Sequence, residues 1–298
     1  MGLAAFQSPG RFFKGNIHTH SNRSDGALTP DFVCRAYAEK GYDFLCLSDH
    51  FLERYGYPVV DTEPFRGEGF TTILGAELHA PENSQKEPWH ILACGLPGDF
   101  APLGEGERGE DIARRAALAG AFVGIAHPQW SSLSIEDGRA LAGIAHAVEI
   151  YNTGCDIETV RGDGTALLDA LLNEGHRLTG YAADDAHFKI DDMFGGWMMV
   201  KAEANTPDAL LDAMKRGHFY SSRGPEIEDI AIEGETLRVR SSPVSSACIV
   251  GRGSRAAFRG AAGMTEADLP LERFLGDWCR VMVVDAAGRQ AWSNPIFP

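Results

Sequence analysis

The stretch FFKGNIHTHSNRSDG, residues 12–26, joins a short apolar run to a group of possible metal ligands. Residues 12–17 have the length and apolar content of a β-strand. His18 and His20 follow directly, and Asp25 lies five residues after the second histidine. Because alternate residues of a strand point to the same side, both imidazoles could reach one ion or two neighbouring ions. The stretch is therefore either a metal-binding strand end or a polar surface strand, and the rest of the chain must decide between them.

Short apolar runs alternate with amphipathic helical stretches between residues 12 and 220. This alternation is typical of a parallel β-sheet with helices outside it. One predicted helix has the residues that typically begin and end a helix: Thr29 is a suitable N-cap, Pro30 suits the first helical position, and Gly41 suits the C-terminal end. The predicted strands cover residues 12–18, 43–49, 71–77, 90–96, 121–127, 147–152, 176–182 and 196–203.

The pattern changes near Gly224. Residues 224–298 show no helical period, and their alternating apolar runs are separated by turns that contain glycine. The pair Gly224 and Pro225 is typical of a junction. The sequence therefore predicts two domains, an α/β domain over residues 1–223 and a small all-β domain over residues 224–298.

Charge and cysteine content limit the partners and the compartment. A formal net charge of -15 would repel a polyanion, so extended nucleic acid is an unexpected partner, although a short oligonucleotide end held by metal is compatible with it. Because there is no basic leader and no apolar run approaches the roughly 20 residues of a membrane span, we expect a cytoplasmic protein without a membrane partner. The cysteines have no CxxC spacing and are expected to be reduced: Cys34, Cys46, Cys94, Cys155, Cys248 and Cys279.

Histidines and acids recur at the ends of the predicted strands. In a parallel barrel the carboxyl ends of all strands share one face, so side chains that follow the strands would meet there. A single histidine at a strand end is more often a cap or a core residue, but six of the ten histidines lie at strand ends, five of them at carboxyl ends and His90 at the start of its strand, which is hard to explain by chance. The six are His18, His20, His50, His90, His127 and His187. The other four, His79, His146, His176 and His218, are expected to be structural, although His79 shares the side of Glu77 and could support the ligands.

The residue types indicate the kind of metal site. Imidazole and carboxylate ligands without thiolate suit Zn, Mn or Fe in a catalytic site and argue against a structural, cysteine-rich zinc site. Nine possible ligands are too many for one ion. We therefore expect two or three ions, with a carboxylate such as Glu77 between them and a shared hydroxide as nucleophile.

Taken in order, these residues form a series of short motifs. The series is His18-Thr19-His20-Ser21, Ser24-Asp25-Gly26, Ser48-Asp49-His50, Gly75-Ala76-Glu77, His127-Pro128 and Asp185-Ala186-His187. Over residues 12–225 it resembles the PHP (polymerase and histidinol phosphatase) family of metal-dependent phosphoesterases. The resemblance implies a distorted seven-stranded β/α barrel of the TIM type, followed here by the small all-β domain.

The resemblance also implies which residues form the site. Asp49, beside His50, would not bind metal itself but would orient a ligand side chain. Asp184 stands where serine is more usual, which could alter these supporting contacts. Arg23 and Arg223 are candidates for holding phosphoryl oxygens, and each could equally be a solvated surface arginine. The implied metal ligands are His18, His20, Asp25, His50, Glu77, His90, His127, Asp185 and His187.

The expected activity is hydrolysis of a small phosphoester, such as a nucleotide or a sugar phosphate, by a metal-bridging hydroxide that attacks phosphorus in line. Two alternatives stay open. A 5′-3′ exonuclease on short oligonucleotides would need aromatic side chains that stack bases. A catalytically inert metal-binding interaction module would need none. Aromatic residues next to the motifs are Phe51, Tyr55, Trp89, Trp130 and Phe188.

Overall fold

The computed structural model describes residues 2–298, which form an α/β part and a C-terminal all-β part. The helices are α1 (Ala4–Gln7), α2 (Pro30–Glu39), α3 (Gly109–Leu118), α4 (Ile135–Ala142), α5 (Thr153–Thr159), α6 (Thr165–Asn173) and α7 (Pro207–Lys215). The first ten strands are β1 (Arg11–Asn16), β2 (Phe44–Leu47), β3 (His50–Phe51), β4 (Thr71–Ala80), β5 (Trp89–Cys94), β6 (Phe122–Ile125), β7 (Ala147–Asn152), β8 (Thr179–Ala183), β9 (Trp197–Ala202) and β10 (Phe219–Ser222). The last five are β11 (Ile227–Glu233), β12 (Thr236–Gly251), β13 (Ala256–Pro270), β14 (Cys279–Val284) and β15 (Gln290–Ser293).

A ring of strands forms the barrel. The neighbours follow the order β1, β2, β4, β5, β6, β7 and β8. The ring closes where the residues after β8 meet those after β1, through a parallel bridge between Thr19 and Ala186. There the N–H of Asp185 donates to the carbonyl of His18 at 2.8 Å, and the N–H of His20 donates to the carbonyl of Ala186 at 2.9 Å. The prediction of a distorted α/β barrel followed by an all-β region is confirmed.

Some strands run against the rest, which corrects the prediction of a parallel sheet. Strand β5 is antiparallel to both β4 and β6, and β9 is antiparallel to β1. The chain between β4 and β5 is too short for a crossover helix, so β5 must return in the opposite direction. For this reason His90, near the start of β5, lies opposite His79 of β4, at the barrel end that also receives the residues after the parallel strands.

The packing inside the barrel depends on glycine. A Cβ on Gly15 would lie 2.1 Å from the ring of Phe44, and one on Gly124 would lie 2.7 Å from the ring of Tyr181. Both rings belong to a buried apolar cluster among the barrel strands and helix α7. A second cluster fills the space between the strands and helices α3, α4 and α6.

The C-terminal strands continue the sheet of the barrel. Strand β10 pairs with β9 on one side and with β15 on the other, and the order continues through β14 and β12 to β11. Strand β13 pairs with β12 outside this order. The predicted boundary between residues 223 and 224 falls in the connection between β10 and β11, but the hydrogen-bonded sheet runs across it.

Two further expectations concern the cysteines and membrane spans. All six cysteines are free; Cys248 is partly exposed and the other five are buried. Among residues 2–298, none of the helices has the length and apolar character needed to cross a bilayer.

Candidate metal centre

The first group of ligand atoms lies where the barrel closes. His18 and His20 follow β1, and Asp185 follows β8 with a left-handed backbone (φ 55°), which an aspartate adopts only at some cost in energy. Oδ1 of Asp185 lies 2.9 Å from Nε2 of His20 and 3.3 Å from Nε2 of His18. Three possible metal-ligand atoms, which come from two strand ends, therefore lie close together.

The second group surrounds Glu77, a fully buried residue of β4. Its Oε1 lies 2.7 Å from Nδ1 of His90 and 3.1 Å from Nε2 of His127. Its Oε2 lies 2.6 Å from Nδ1 of His50, and Nε2 of His18 is 3.8 Å from Oε1. A carboxylate placed between imidazoles from several strands is suited to bridge two ions.

The third group is built around Asp25. Its Oδ1 lies 3.3 Å from Nε2 of His50 and 3.3 Å from Nε2 of His187. The ring of His20 stacks against the rings of both histidines, with centroids 4.3 and 4.4 Å away. The structure thus brings all nine residues of the expected ligand set into adjoining groups at one end of the barrel.

Buried polar atoms without hydrogen bonds support a cation at this place. Within residues 2–298, Nε2 of His18, Nδ1 of His20 and Oε2 of Glu77 are buried without a hydrogen-bond partner; the 2.6 Å contact from His50 to Glu77 lacks hydrogen-bond geometry. Such orphaned atoms are rare in folded proteins. Their chemistry, imidazole and carboxylate, fits Zn, Mn or Fe.

The charges in the centre keep its acids ionised. Burial opposes ionisation of Glu77 and Asp185, but neighbouring histidines hold both pKa values well below their usual range. Burial also opposes protonation of His50, yet Glu77 and Asp25 raise its pKa to about 10. By contrast, burial lowers the pKa of His20 to about 3, with a further contribution from the charge of His50. Without a metal, protonated histidines balance these acids, because the acids, against the effect of burial, also raise the pKa values of His18, His127 and His187; a bound cation would take over this role.

Glu149 is an acid in contact with the centre that the sequence analysis did not single out. This fully buried acid of β7 has Oε1 2.9 Å from Nδ1 of His18, and its Oε2 accepts the backbone N–H of His127 at 2.6 Å. It therefore turns the free Nε2 of His18 towards the other ligands. The sequence does contain an indication of this role, because Glu149 is an acid inside the apolar run AVEIYN. An acid buried in such a strand needs a partner for its charge.

Asp49 and Asp184 support the loops that carry ligands. Asp49 is buried and accepts hydrogen bonds of 2.6–3.1 Å from the N–H and hydroxyl groups of Ser21 and Ser24, which lie in the loop between His20 and Asp25. Burial raises the pKa of Asp184 to about 6 although six donors reach it. The donors are Asn16 Nδ2, Tyr37 OH, Thr153 Oγ1 and the N–H groups of Phe194, Gly195 and Gly196.

His79 lies closer to the centre than a purely structural histidine would. Its Nε2 is 2.9 Å from Nδ1 of His50 and 3.6 Å from Oε2 of Glu77. The signal in the sequence was its position two residues after Glu77 on one strand. The other three histidines expected to be structural lie elsewhere: His146 accepts the N–H of Val123, His218 contacts Ser8, and His176 lies near Glu174.

The structure does not bring the two proposed arginines to the centre. Arg23 is exposed and is not among the residues that line the adjoining cavity. Arg223 stacks on Tyr151, 4.2 Å from the ring centroid, and lines a separate cavity beside the C-terminal strands. The physical reason is that β10, which precedes Arg223, lies beyond β9 and therefore outside the ring of barrel strands.

The three groups open into a cavity of about 700 Å³. Apart from ligands and His79, the cavity is lined by two cations, Arg54 and Lys189, by three acids, Glu53, Glu158 and Asp192, and by Leu52, Pro88, Trp130, Gly154 and Cys155. Nζ of Lys189 lies 3.7 Å from Oδ2 of Asp25. The centre is therefore accessible to a small molecule, and positive charge is available at its rim.

A closed ring of β-strands with histidines and acids gathered at one end is the architecture that the PHP resemblance implies. Neither a protein-family model nor a curated protein sequence matches the chain. Among solved structures, the chain is similar to a two-domain protein from Bacteroides vulgatus ATCC 8482 that contains a predicted PHP-like metal-dependent phosphoesterase. The identity is 17%, the TM-score is 0.55, and the match covers 94% of each chain.

Two other solved structures match with TM-scores of 0.45. One is an amidohydrolase from Chromobacterium violaceum, with 15% identity over 60% of this chain and 89% of that chain. The other is PsfC from Pseudomonas syringae PB-5123, with 16% identity over 68% of this chain and 87% of that chain. The match to the Bacteroides protein confirms the PHP resemblance at the level of the fold, and it includes the C-terminal all-β region.

Proposed function

We propose that this chain is a metal-dependent hydrolase that cleaves small phosphomonoesters. The observation that carries the proposal is the buried carboxylate of Glu77, which has imidazole nitrogens of His50, His90 and His127 within 3.1 Å at the mouth of the barrel. The three histidines line an open cavity, whereas a structural zinc site is closed by its own ligands.

Two or three divalent ions, Zn, Mn or Fe, fit the donor set. When bound, ions of this kind supply a water nucleophile near neutral pH and neutralise the charge of a phosphoryl group. The residues that would hold them are His18, His20, Asp25, His50, Glu77, His90, His127, Asp185 and His187, with His79 close enough to His50 to contribute.

The chain's own cations would bind the phosphoryl oxygens. The side chain of Lys189 is 54% exposed and only 3.7 Å from Asp25, so it can move towards a substrate in the cavity. Arg54 is a second cation among the lining residues. In a protein with a net charge of -15, these two side chains are better placed than Arg23 or Arg223 to attract a phosphate.

The size of the cavity supports a small substrate. Its volume of about 700 Å³ lies within the range of roughly 300–1,000 Å³ that small-molecule sites occupy. The acidic surface also opposes the binding of a long polyanion. An exonuclease would show cleavage that depends on oligonucleotide length, whereas the proposed enzyme would act on mononucleotides or sugar phosphates without that dependence.

The test measures metal content and turnover on one sample. The purified protein, supplied with manganese, is assayed on p-nitrophenyl phosphate and on a panel of nucleotides and sugar phosphates. We expect His18→Ala and Asp185→Asn to lower kcat at least about 100-fold, because each removes a donor from the centre. His218→Ala, outside the centre, is the matched control. Absence of turnover in metal-loaded wild type, or full turnover in both ligand variants, would contradict the proposal.

A further inference from the structure

Trp130 is exposed beside the candidate metal centre although its side chain is large and apolar. It is 39% exposed, whereas Trp89, Trp278 and Trp292 are each at most 5% exposed. Its ring centroid lies 5.0 Å from that of His127 and 5.6 Å from that of His90. The indole is therefore in contact with two of the expected ligands while part of its surface faces solvent.

The indole borders two adjacent cavities. It lines the main cavity together with the ligands, and it also lines a neighbouring cavity of about 430 Å³ with Ser131, Ser132 and Arg161. The two cavities share Pro88, His90 and Trp130. A molecule that reacts at the centre and extends towards Pro88 and His90 would therefore lie against the indole.

The segment that carries Trp130 is held in a strained conformation. His127 and Ser132 both have positive φ angles, 23° and 52°, which residues other than glycine adopt at a cost in energy. The turn is fixed by a contact of 2.9 Å between Ser131 Oγ and His127 Nδ1, and by the Leu133 N–H, which donates to the carbonyl of Pro128 at 2.9 Å. Strain of this kind is retained where a side chain must be presented at a site.

We propose that Trp130 is a stacking platform for a planar ring in the leaving group, so that the enzyme prefers phosphomonoesters carrying an aromatic ring or a nucleobase. This rests on the proposed phosphoesterase function. Aromatic rings stack on indole irrespective of their substituents. Among the other candidates, Phe51 and Trp89 are buried, and Phe188 packs against the apolar cluster around Tyr37. Tyr55 is half-buried and stacks on His50 with ring centroids 6.4 Å apart, but it lines neither cavity.

The experiment compares two substrates with the same leaving oxygen, adenosine 5′-monophosphate and ribose 5-phosphate. We expect wild type to prefer the adenosine compound in kcat/KM. In Trp130→Ala, kcat/KM for this compound should fall about 10- to 100-fold more than kcat/KM for ribose 5-phosphate. Trp130→Phe, which keeps a ring, should restore most of the preference. Phe258→Ala removes a 62% exposed aromatic residue of β13 outside both cavities, and should change neither substrate.

The outcomes separate this inference from the proposed function. Equal kcat/KM for the two substrates in wild type, or an equal loss for both in Trp130→Ala, would overturn the stacking role and leave the hydrolase intact. If wild type hydrolyses neither compound, kcat/KM gives no comparison, and the proposed function fails only if p-nitrophenyl phosphate and the rest of the panel are not hydrolysed either. The platform is then decided by tryptophan fluorescence with a non-hydrolysable adenosine 5′-phosphonate: quenching in wild type that is absent from Trp130→Phe supports it, and no quenching in wild type overturns it.

Discussion

Glu149 lies in the middle of an apolar strand, where an isolated ionised carboxylate would be costly. The cost is offset because its two oxygens have partners, the ring of His18 and the N–H of His127. The same contacts orient two expected ligands. A residue that looks misplaced in the sequence is therefore explained only when the strands beside it are known.

Removal of the Glu149 carboxylate should weaken metal binding without removing a ligand. In Glu149→Ala the ring of His18 loses its hydrogen bond, and we expect the metal affinity to fall about 10- to 100-fold, as for other partners of ligand histidines. Glu149→Gln keeps an acceptor and should lose less. Competition with a chromophoric chelator measures both affinities. An unchanged affinity in the alanine variant would show that Glu149 does not orient His18.

At the scale of the elements, most strands and several helices follow from local pattern. Residues 147–152 were predicted as a strand and form β7, and helix α2 begins at Pro30 after Thr29 as the capping signals indicate. The apolar pattern of β5 is the same whichever way the strand runs, so only the length of its connection to β4 indicates its direction. The predicted strands end at residue 77 and begin at residue 90, whereas β4 extends to Ala80 and β5 begins at Trp89, which leaves a connection too short for a crossover. The long strand β13 has no such apolar pattern, because its run of alanine and glycine has little β-propensity.

The candidate site was predictable to a similar extent. Short motifs such as His18-Thr19-His20 identify the candidate ligands, because their spacing is visible in the sequence. Their partners were not, because the contact from Glu149 to His18 joins residues 131 positions apart. The position of Arg223 also depends on strand order, which no local pattern gives.

Close packing between barrel strands gives a prediction at this scale. In Gly124→Ala the new Cβ would meet the buried ring of Tyr181 at 2.7 Å, and we expect the free energy of unfolding to fall by about 1–3 kcal/mol. Gly143→Ala is the matched control, because its Cβ would meet nothing within 4 Å and its φ is negative. Urea unfolding measures both. Equal stability of the two variants would contradict the packing argument.

At the scale of the whole molecule, the C-terminal residues pack against the barrel and bind its backbone groups. Asn294 is fully buried; its Oδ1 accepts the N–H of Gly180 in β8 at 2.9 Å, and its Nδ2 donates to the carbonyls of Gly217 and Phe219. Trp292 belongs to the apolar cluster shared with the barrel helices. The predicted all-β domain therefore supplies contacts that the α/β domain needs.

A chain shortened to residues 1–223 should consequently fail to reach the native state. Strand β10 would lose its partner β15, and Phe12, Met199 and Tyr220 would lose the apolar cluster formed by the C-terminal strands. We expect the shortened chain to lack a cooperative thermal transition by circular dichroism, whereas the full chain unfolds in one step. Asn294→Ala in the full chain should lower the free energy of unfolding by about 1–3 kcal/mol per buried group left without a partner. A shortened chain with a wild-type melting temperature would instead establish residues 1–223 as an independent domain.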